Sequence, residues 1–361
     1  MGITPALAVP IRLTKEEKTM TNATMTQKEI IAEMTRLRGM LQVKPARKNP
    51  ARNRYLASLP VLKKALESGK LGGVVLWKGA SLIDGTPIVY VANKFASDSQ
   101  NEKTGAMVQT FIVPDTEKAG IECNGARPAK IVDWLEKTGA KSICGDCPHA
   151  WQQDSESGKF SKGSCYVREY QAPAAVMGAV YRDSYPIAGV DFPAAWIAGI
   201  FEGTNARFGS YGDPAAAPAA ITIAAASKTR QRTGYTHGWK SAFEGFRNNA
   251  AKLAGVLMAS ADSAADQDLA ESMGFRCFRV APKSEDVFAG QNIVCPASKE
   301  FEQKHGKRTD CAACGLCSGA TGKGAGKRSV VIAAHGGTAG KVQESTCPAA
   351  MRMLDAMAIP A

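Results

Sequence analysis

The cysteines restrict this chain more than any other feature. Cys295-Pro296 is followed by Cys311-x2-Cys314-x2-Cys317. Three thiols at three-residue intervals on a glycine-containing segment, with a fourth brought from a distance, make a four-thiolate pocket for a soft metal. The triplet with a distant Cys-Pro favours a [4Fe-4S] cluster, because bacterial ferredoxins use both. Structural zinc more often takes two separated C-x2-C pairs, and Zn is the alternative. Lys307, Arg308, Lys323, Lys327 and Arg328 flank the pocket and are expected to offset thiolate charge. The plain competing reading is four cysteines buried independently.

A second group is Cys144-Gly-Asp-Cys147-Pro-His149, with Cys165 downstream and Cys123 upstream. Cys144 and Cys147 form a half-site that Cys165, with either Cys123 or His149, completes. Three ligands and an open position would leave room for substrate or cofactor. The competing reading is an inert pair packed beside Cys123 and Cys165. Cys277 falls within a β-like run and is expected in the core, and Cys347 is solitary. Ten cysteines in 361 residues are too few for a disulfide scaffold. Their grouping points to metal or redox chemistry in a reducing compartment. With only four histidines, a metal site must rely mainly on thiolates.

The charge is uneven. Residues 1–70 hold 14 Lys/Arg against 5 Asp/Glu, so +9 of the formal +12 lies there. The densest stretch, Lys44 to Arg54, has two prolines and no apolar periodicity, and reads as a flexible, solvated strap. Such an arm neutralises phosphates without reading sequence, or merely solubilises the chain. Met20 and Met25 are alternative starts. No apolar run approaches the roughly 18–20 residues that span a bilayer, and the Ala215–Ala226 tract is too short. No basic start leads into a long apolar run, so a secretory signal is not expected. The reading is a cytoplasmic protein without a membrane partner.

The periodicity predicts a helix over 55–70, then β-runs at Gly73–Trp77, Pro87–Ala92 and Val108–Val113 with a polar loop over 97–105. These form a small antiparallel portion. Residues 128–138 read as a helix. Beyond about 140, strand-like and helical runs alternate. Residues 255–260 read as a strand, Ser263-Ala-Ala-Asp266 as a capping box opening a helix that stops at Gly274, and 275–280 as a second strand. That β-α-β unit implies parallel strands covered by helices. Residues 328–334 read as another buried strand. The predicted layout is a basic extension (1–54), a helix with the antiparallel portion (55–122), an α/β metal-binding domain (123–345) and a C-terminal tail or helix (346–361).

Chemistry in α/β sheets and barrels collects at the carboxyl ends of strands. Ser260 and Asp262 follow one predicted strand and His335 another. Arg207-x-Gly-x-Tyr-Gly-Asp213-Pro214 lies on a turn-rich segment where glycines allow close backbone approach. Gly234-Tyr235-Thr-His237-Gly-Trp239 sets a titratable His among aromatics that can stack on a flat ring. The candidates are therefore Arg207 for an anionic group, Asp213 or Asp262 as base or nucleophile, His237 as acid/base, and Tyr235 and Ser260 beside them. Each also has a structural reading, as a surface loop or an aromatic corner. No Walker loop, Ser-His-Asp grouping or dinucleotide fingerprint is present.

Nine motifs occur in one order: Cys147-Pro-His149, Ser164-Cys165-Tyr166-Val167, Arg207 to Pro214, Thr233 to Trp239, Met258-Ala-Ser260, Phe278-Arg279-Val280, Cys295-Pro-Ala-Ser298, the Cys311 triplet and Ala334-His335-Gly336. Over about 70–340 the set resembles a bacteriophage and prophage family known as a domain of unknown function. It is distantly similar to phage proteins that resemble radical S-adenosylmethionine enzymes, although the C-x3-C-x2-C spacing of those enzymes is not present. The resemblance implies a mobile-element origin, action in the host bacterial cytoplasm and an α/β, TIM-barrel-like fold, complete or partial. It also brings in S-adenosylmethionine as a cofactor.

Three functions stand as expectations. The first is a metalloenzyme acting on a nucleotide or nucleic acid, as in DNA modification. Its variant is a base-exchange transferase similar to tRNA-guanine transglycosylases, with zinc on Cys311, Cys314, Cys317 and His335. The third is a non-catalytic, zinc-stabilised factor that binds DNA or a host protein through the basic arm.

Overall fold

The computed structural model describes residues 50–96, 102–115, 131–283, 285–335 and 339–342. Cys123, Cys347, residues 97–101 of the predicted 97–105 loop and the basic arm through residue 49 lie outside them. The end of the predicted strap is ordered, however. Pro50–Asn53 is a helical turn, and Arg52 is buried. Its guanidinium donates to the carbonyls of Asp183 and Tyr185 and pairs with Asp191 at 3.1 Å. This arginine is a tether, not a solvated charge.

The periodicity of the next segment gives the helix Leu59–Glu67. It buries Leu62, Ala65 and Leu66 on one face. Each leucine contributes about 1.5–3 kcal/mol by that burial. Three antiparallel strands follow: β1 (Gly73–Ala80), β2 (Pro87–Asn93) and β3 (Val108–Pro114). Every residue of β3 is buried, as expected of a strand covered on both faces. A hairpin of two-residue strands, β4 (Gln152–Gln153) and β5 (Phe160–Ser161), stands apart from the sheet.

The parallel strands are β6 (Asn205–Tyr211), β7 (Gln231–Thr236), β8 (Met258–Ala261), β9 (Cys277–Ala281), β10 (Ile293–Val294) and β11 (Val330–Ala333). Together they complete a nine-stranded sheet in the order β1-β2-β3-β6-β7-β8-β9-β11-β10. β3 pairs in parallel with β6, so the antiparallel and parallel portions are continuous across the boundary placed near 122. Among the described residues no pairing joins β10 to β1. The α/β reading is right, but among the described residues the sheet is open and mostly parallel and does not close into a TIM barrel.

Helices Ala219–Ala226, Glu244–Ala251 and Ala264–Ser272 connect successive parallel strands. Crossovers of one hand between strands in sequential order place all three on the same face. Ala219–Ala226 is apolar and almost wholly buried, which explains the Ala-rich tract without a membrane. Among the described residues no helix is long and apolar enough to cross a membrane. The β-α-β unit is present with one difference. Ser263 caps its helix by accepting from the Asp266 N–H at 3.0 Å. The Asp266 carboxylate does not reach back to Ser263. It accepts from the Asp262 N–H and from Lys240, because a carboxylate one methylene shorter than Glu turns sideways.

Candidate functional site

The face of the parallel sheet opposite these helices floors a cavity of about 770 Å³. Alternate residues of successive strands line it: Arg207 and Tyr211 from β6, Thr233 and Tyr235 from β7, Phe278 and Val280 from β9. The roof comes from the two cysteine-bearing segments. The site therefore spreads over a sheet face and continues past the strand ends, where Asp213, His237, Asp262 and His335 lie.

The first cysteine segment is pinned from several sides. The N–H of Cys295 donates to Val331 on β11 at 2.8 Å. Cys311 and Ala312 donate to the carbonyls of Lys103 and Thr104, and the Cys317 carbonyl accepts from Gly234 on β7. Cys311–Cys314 is one helical turn, capped by Asp310 and ended by Gly315 in the left-handed region, φ 64°. A side chain at Gly315 would also run into Gln231. Arg276 organises the loop from below, donating to the carbonyls of Leu316, Gly319, Lys327 and Arg328.

Cys311 and Cys314 lie close enough to help raise the pKa of Cys295 and Cys317, and Cys311 helps raise that of Cys314. Burial is the larger cause and pushes Cys295 up to about 11 and Cys317 higher still. The cations expected from the flanking sequence are mostly elsewhere. Lys307, Lys327 and Arg328 are exposed, and Arg308 pairs with Glu102 and Glu302. Lys323 acts on Cys314. Lys103 and Arg207 instead face the thiols from the cavity side. His335 does not join the triplet. Its Nε2 lies 3.3 Å from Lys103 Nζ and its ring stacks on Tyr166. Among the described residues neither Cys295 nor His335 forms a group with two of the triplet sulfurs in which all ligand atoms lie within 4.8 Å of one another.

The second cysteine segment folds over the carboxyl ends of β7 and β8. The N–H of Cys165 donates to the His149 carbonyl at 2.8 Å. Gly163 permits that approach, because any β-carbon there would overlap the Ala150 carbonyl. Cys144, Cys147 and Cys165 are neighbours, and burial, then mutual repulsion, pushes the thiols of Cys144 and Cys147 well above the ordinary range. Cys277, by contrast, is core, as its strand position implied.

Beside this segment lies the tightest polar cluster. Asp262 Oδ1 meets His149 Nε2 at 2.7 Å and His237 Nε2 at 3.2 Å. Its Oδ2 takes Lys240 at 2.6 Å, and Lys240 also binds Asp266 at 2.5 Å. Burial alone would raise the Asp262 pKa, but His237, His149 and Lys240 outweigh it and hold the carboxyl well below its usual range. His149 Nδ1 is 2.6 Å from Ser164 Oγ, and His237 Nδ1 is 3.4 Å from Cys147 Sγ.

No protein-family model, curated protein or solved structure matches this chain. Its chemistry is therefore read from the geometry alone.

The candidates divide. Asp262 and His237 meet, with His149 beside them. Asp213 is a fixture: Oδ1 accepts from the Ala215 N–H and Oδ2 from Thr236 Oγ1 and the N–H groups of His237 and Gly238. With both oxygens engaged it positions His237 and is poorly placed to act as base or nucleophile. Ser260 lines the cavity, and its carbonyl accepts from the Trp239 indole. Arg207 donates to the Tyr166 hydroxyl at 2.7 Å and lies over the Tyr235 ring. Sequence reasoning missed Lys103, Lys240, Ser164 and Arg276. Lys240 directly follows the His237-Gly-Trp motif, and Ser164 belongs to the Ser164-Cys165-Tyr166 motif; nothing local marks Lys103 or Arg276.

Proposed function

We propose that this chain is a metalloenzyme, of bacteriophage or prophage origin, whose Cys295/Cys311/Cys314/Cys317 site holds an iron–sulfur cluster and whose cavity receives a nucleotide or a nucleic-acid base. One observation carries the reading: two groups of cysteines and the His149 and His237 rings held by Asp262 open onto one cavity. Burial and mutual repulsion keep these thiols protonated, and a bound metal would displace the protons by neutralising the thiolate charge. The Cys311-x2-Cys314-x2-Cys317 sequence pattern with a distant Cys-Pro supports a cluster over zinc. A single tetrahedral zinc, with Zn–S near 2.3 Å, holds sulfurs about 3.8 Å apart. Among the described residues no three cysteine sulfurs lie within 4.8 Å of one another.

The cavity suits a charged, flat substrate. Arg207 and Lys103 offer positive charge, the exposed ring of Tyr166 offers a stacking surface, and His237 with Asp262 supplies an acid/base pair. S-adenosylmethionine fits the same description as a co-substrate. The basic arm, outside the described residues, would add sequence-independent attraction to phosphates.

The experiment is anaerobic purification with iron, sulfide and zinc analysis and an absorbance spectrum. About four iron and four sulfide per chain with broad absorption near roughly 400 nm is expected. Colourless protein holding zinc in the cysteine site overturns the cluster, and the base-exchange and binding readings then take its place.

A further inference from the structure

We propose that His149, His237 and Asp262 bind a single divalent transition-metal ion, of the zinc or ferrous class, at a site separate from the four-cysteine site. The inference goes beyond the cluster reading and stands whether or not that reading holds.

The three groups come from three separate places: the second cysteine segment, the end of β7 and the end of β8. Nevertheless their ligand atoms all lie within 4.8 Å of one another. Both imidazoles turn Nε2, and the carboxylate turns Oδ1, toward a common point. The opposite atom of each group is engaged. His149 Nδ1 is held by Ser164, His237 Nδ1 lies against Cys147, and Asp262 Oδ2 is bound by Lys240. Such outer partners are what fixes ring orientation and exposes the ligating atom at metal centres.

The charges agree with a dication. Two buried carboxylates, Asp262 and Asp266, meet the single ammonium of Lys240. Two imidazoles and one carboxylate suit zinc and ferrous iron better than magnesium or calcium, which prefer all-oxygen shells. Three protein ligands leave positions open, as in catalytic rather than structural sites. Both histidines line the cavity, so the open side faces the substrate space. Water bound there would become acidic enough to act as base or nucleophile near neutral pH.

The test uses the full chain, purified anaerobically and then equilibrated with Zn²⁺ and dialysed. Bound zinc, iron and sulfide are counted in the wild type, His149→Ala and His237→Ala. The expected result is loss of one zinc equivalent in each variant, with the metal content of the four-cysteine site unchanged. Added Zn²⁺ should raise the wild-type Tm and leave that of the two variants in place. Should either variant fail to fold, Ser164→Ala removes only an outer partner and is expected to weaken zinc binding roughly 10- to 100-fold. Equal zinc in wild type and variants, or a wild type that takes up no zinc beyond the cysteine site, overturns the proposal. Absence of a cluster changes the iron and sulfide counts alone, and so leaves this result readable.

Discussion

Lys240 and Asp262 form an ion pair at 2.6 Å in which both side chains are almost completely removed from water. Asp266 takes the same ammonium at 2.5 Å, so a lysine with no other access to solvent is held by two carboxylates. Removing one partner from a buried pair leaves a desolvated charge and typically costs about 3–5 kcal/mol. Lys240→Ala is therefore expected to destabilise by about that amount, because it removes the shared cation from two buried carboxylates at once. Lys240→Met combined with Asp266→Leu should recover part of the loss. Urea unfolding of the three proteins checks this, and a Lys240→Ala midpoint equal to wild type would refute it.

The Arg276 side chain ties four carbonyls of the loop that carries Cys314 and Cys317. Lysine has one donor group and cannot reproduce that fork. With the proposed cluster bound, Arg276→Lys is expected to retain the fold but to release metal from the four cysteines several-fold faster under a chelator. Cys277→Ala, one residue along but in the core, should lose about 1 kcal/mol of stability without changing that rate. The measurement is metal release against time for both variants.

Which parts of this arrangement the sequence discloses depends on range. Period-two and period-3.6 patterns are local, so the helix at Leu59–Glu67, the three antiparallel strands and the β-α-β unit are legible within a few residues. Ser263 capping follows from one side chain and one N–H. The open sheet is not legible in this way, since β10 lies outside β11 only because of pairing between distant segments. The same holds in the site. Three-residue spacing announces Cys311, Cys314 and Cys317, but the meeting of His149, His237 and Asp262 needs two strand ends and a folded loop. Asp213 looked catalytic for want of any sign that four donors would claim it.

Gly163 is the narrowest point of the second cysteine segment. A β-carbon there overlaps the Ala150 carbonyl, which is backbone and cannot swing aside. Gly163→Ala is expected to cost about 1–3 kcal/mol, in the range of overpacking elsewhere. It should also loosen the hydrogen bond from Cys165 to His149, so Cys165 would react faster with an alkylating reagent while Cys277 stays protected. Peptide mapping after timed alkylation decides it; an unchanged Cys165 rate would show that the loop relaxes without consequence.

Tyr90 gives a pH dependence at the alkaline end. Its hydroxyl is fully buried and lies 3.0 Å from Thr222 Oγ1. Burial pushes its pKa up to about 12, with Thr222 and Thr110 opposing. The folded state therefore holds the phenolic proton more tightly than the unfolded chain, which releases it near pH 10. The stability from this group is fully present below about pH 10 and is lost as pH rises from there through about 12. The two-unit difference corresponds to about 3 kcal/mol at the upper limit. Tyr90→Phe should cost about 1 kcal/mol at neutral pH through the lost hydrogen bond, yet unfold less steeply between pH 10 and 12. Denaturation midpoints of both proteins across that interval test it. Parallel alkaline slopes for wild type and Tyr90→Phe would place the sensitivity in other groups.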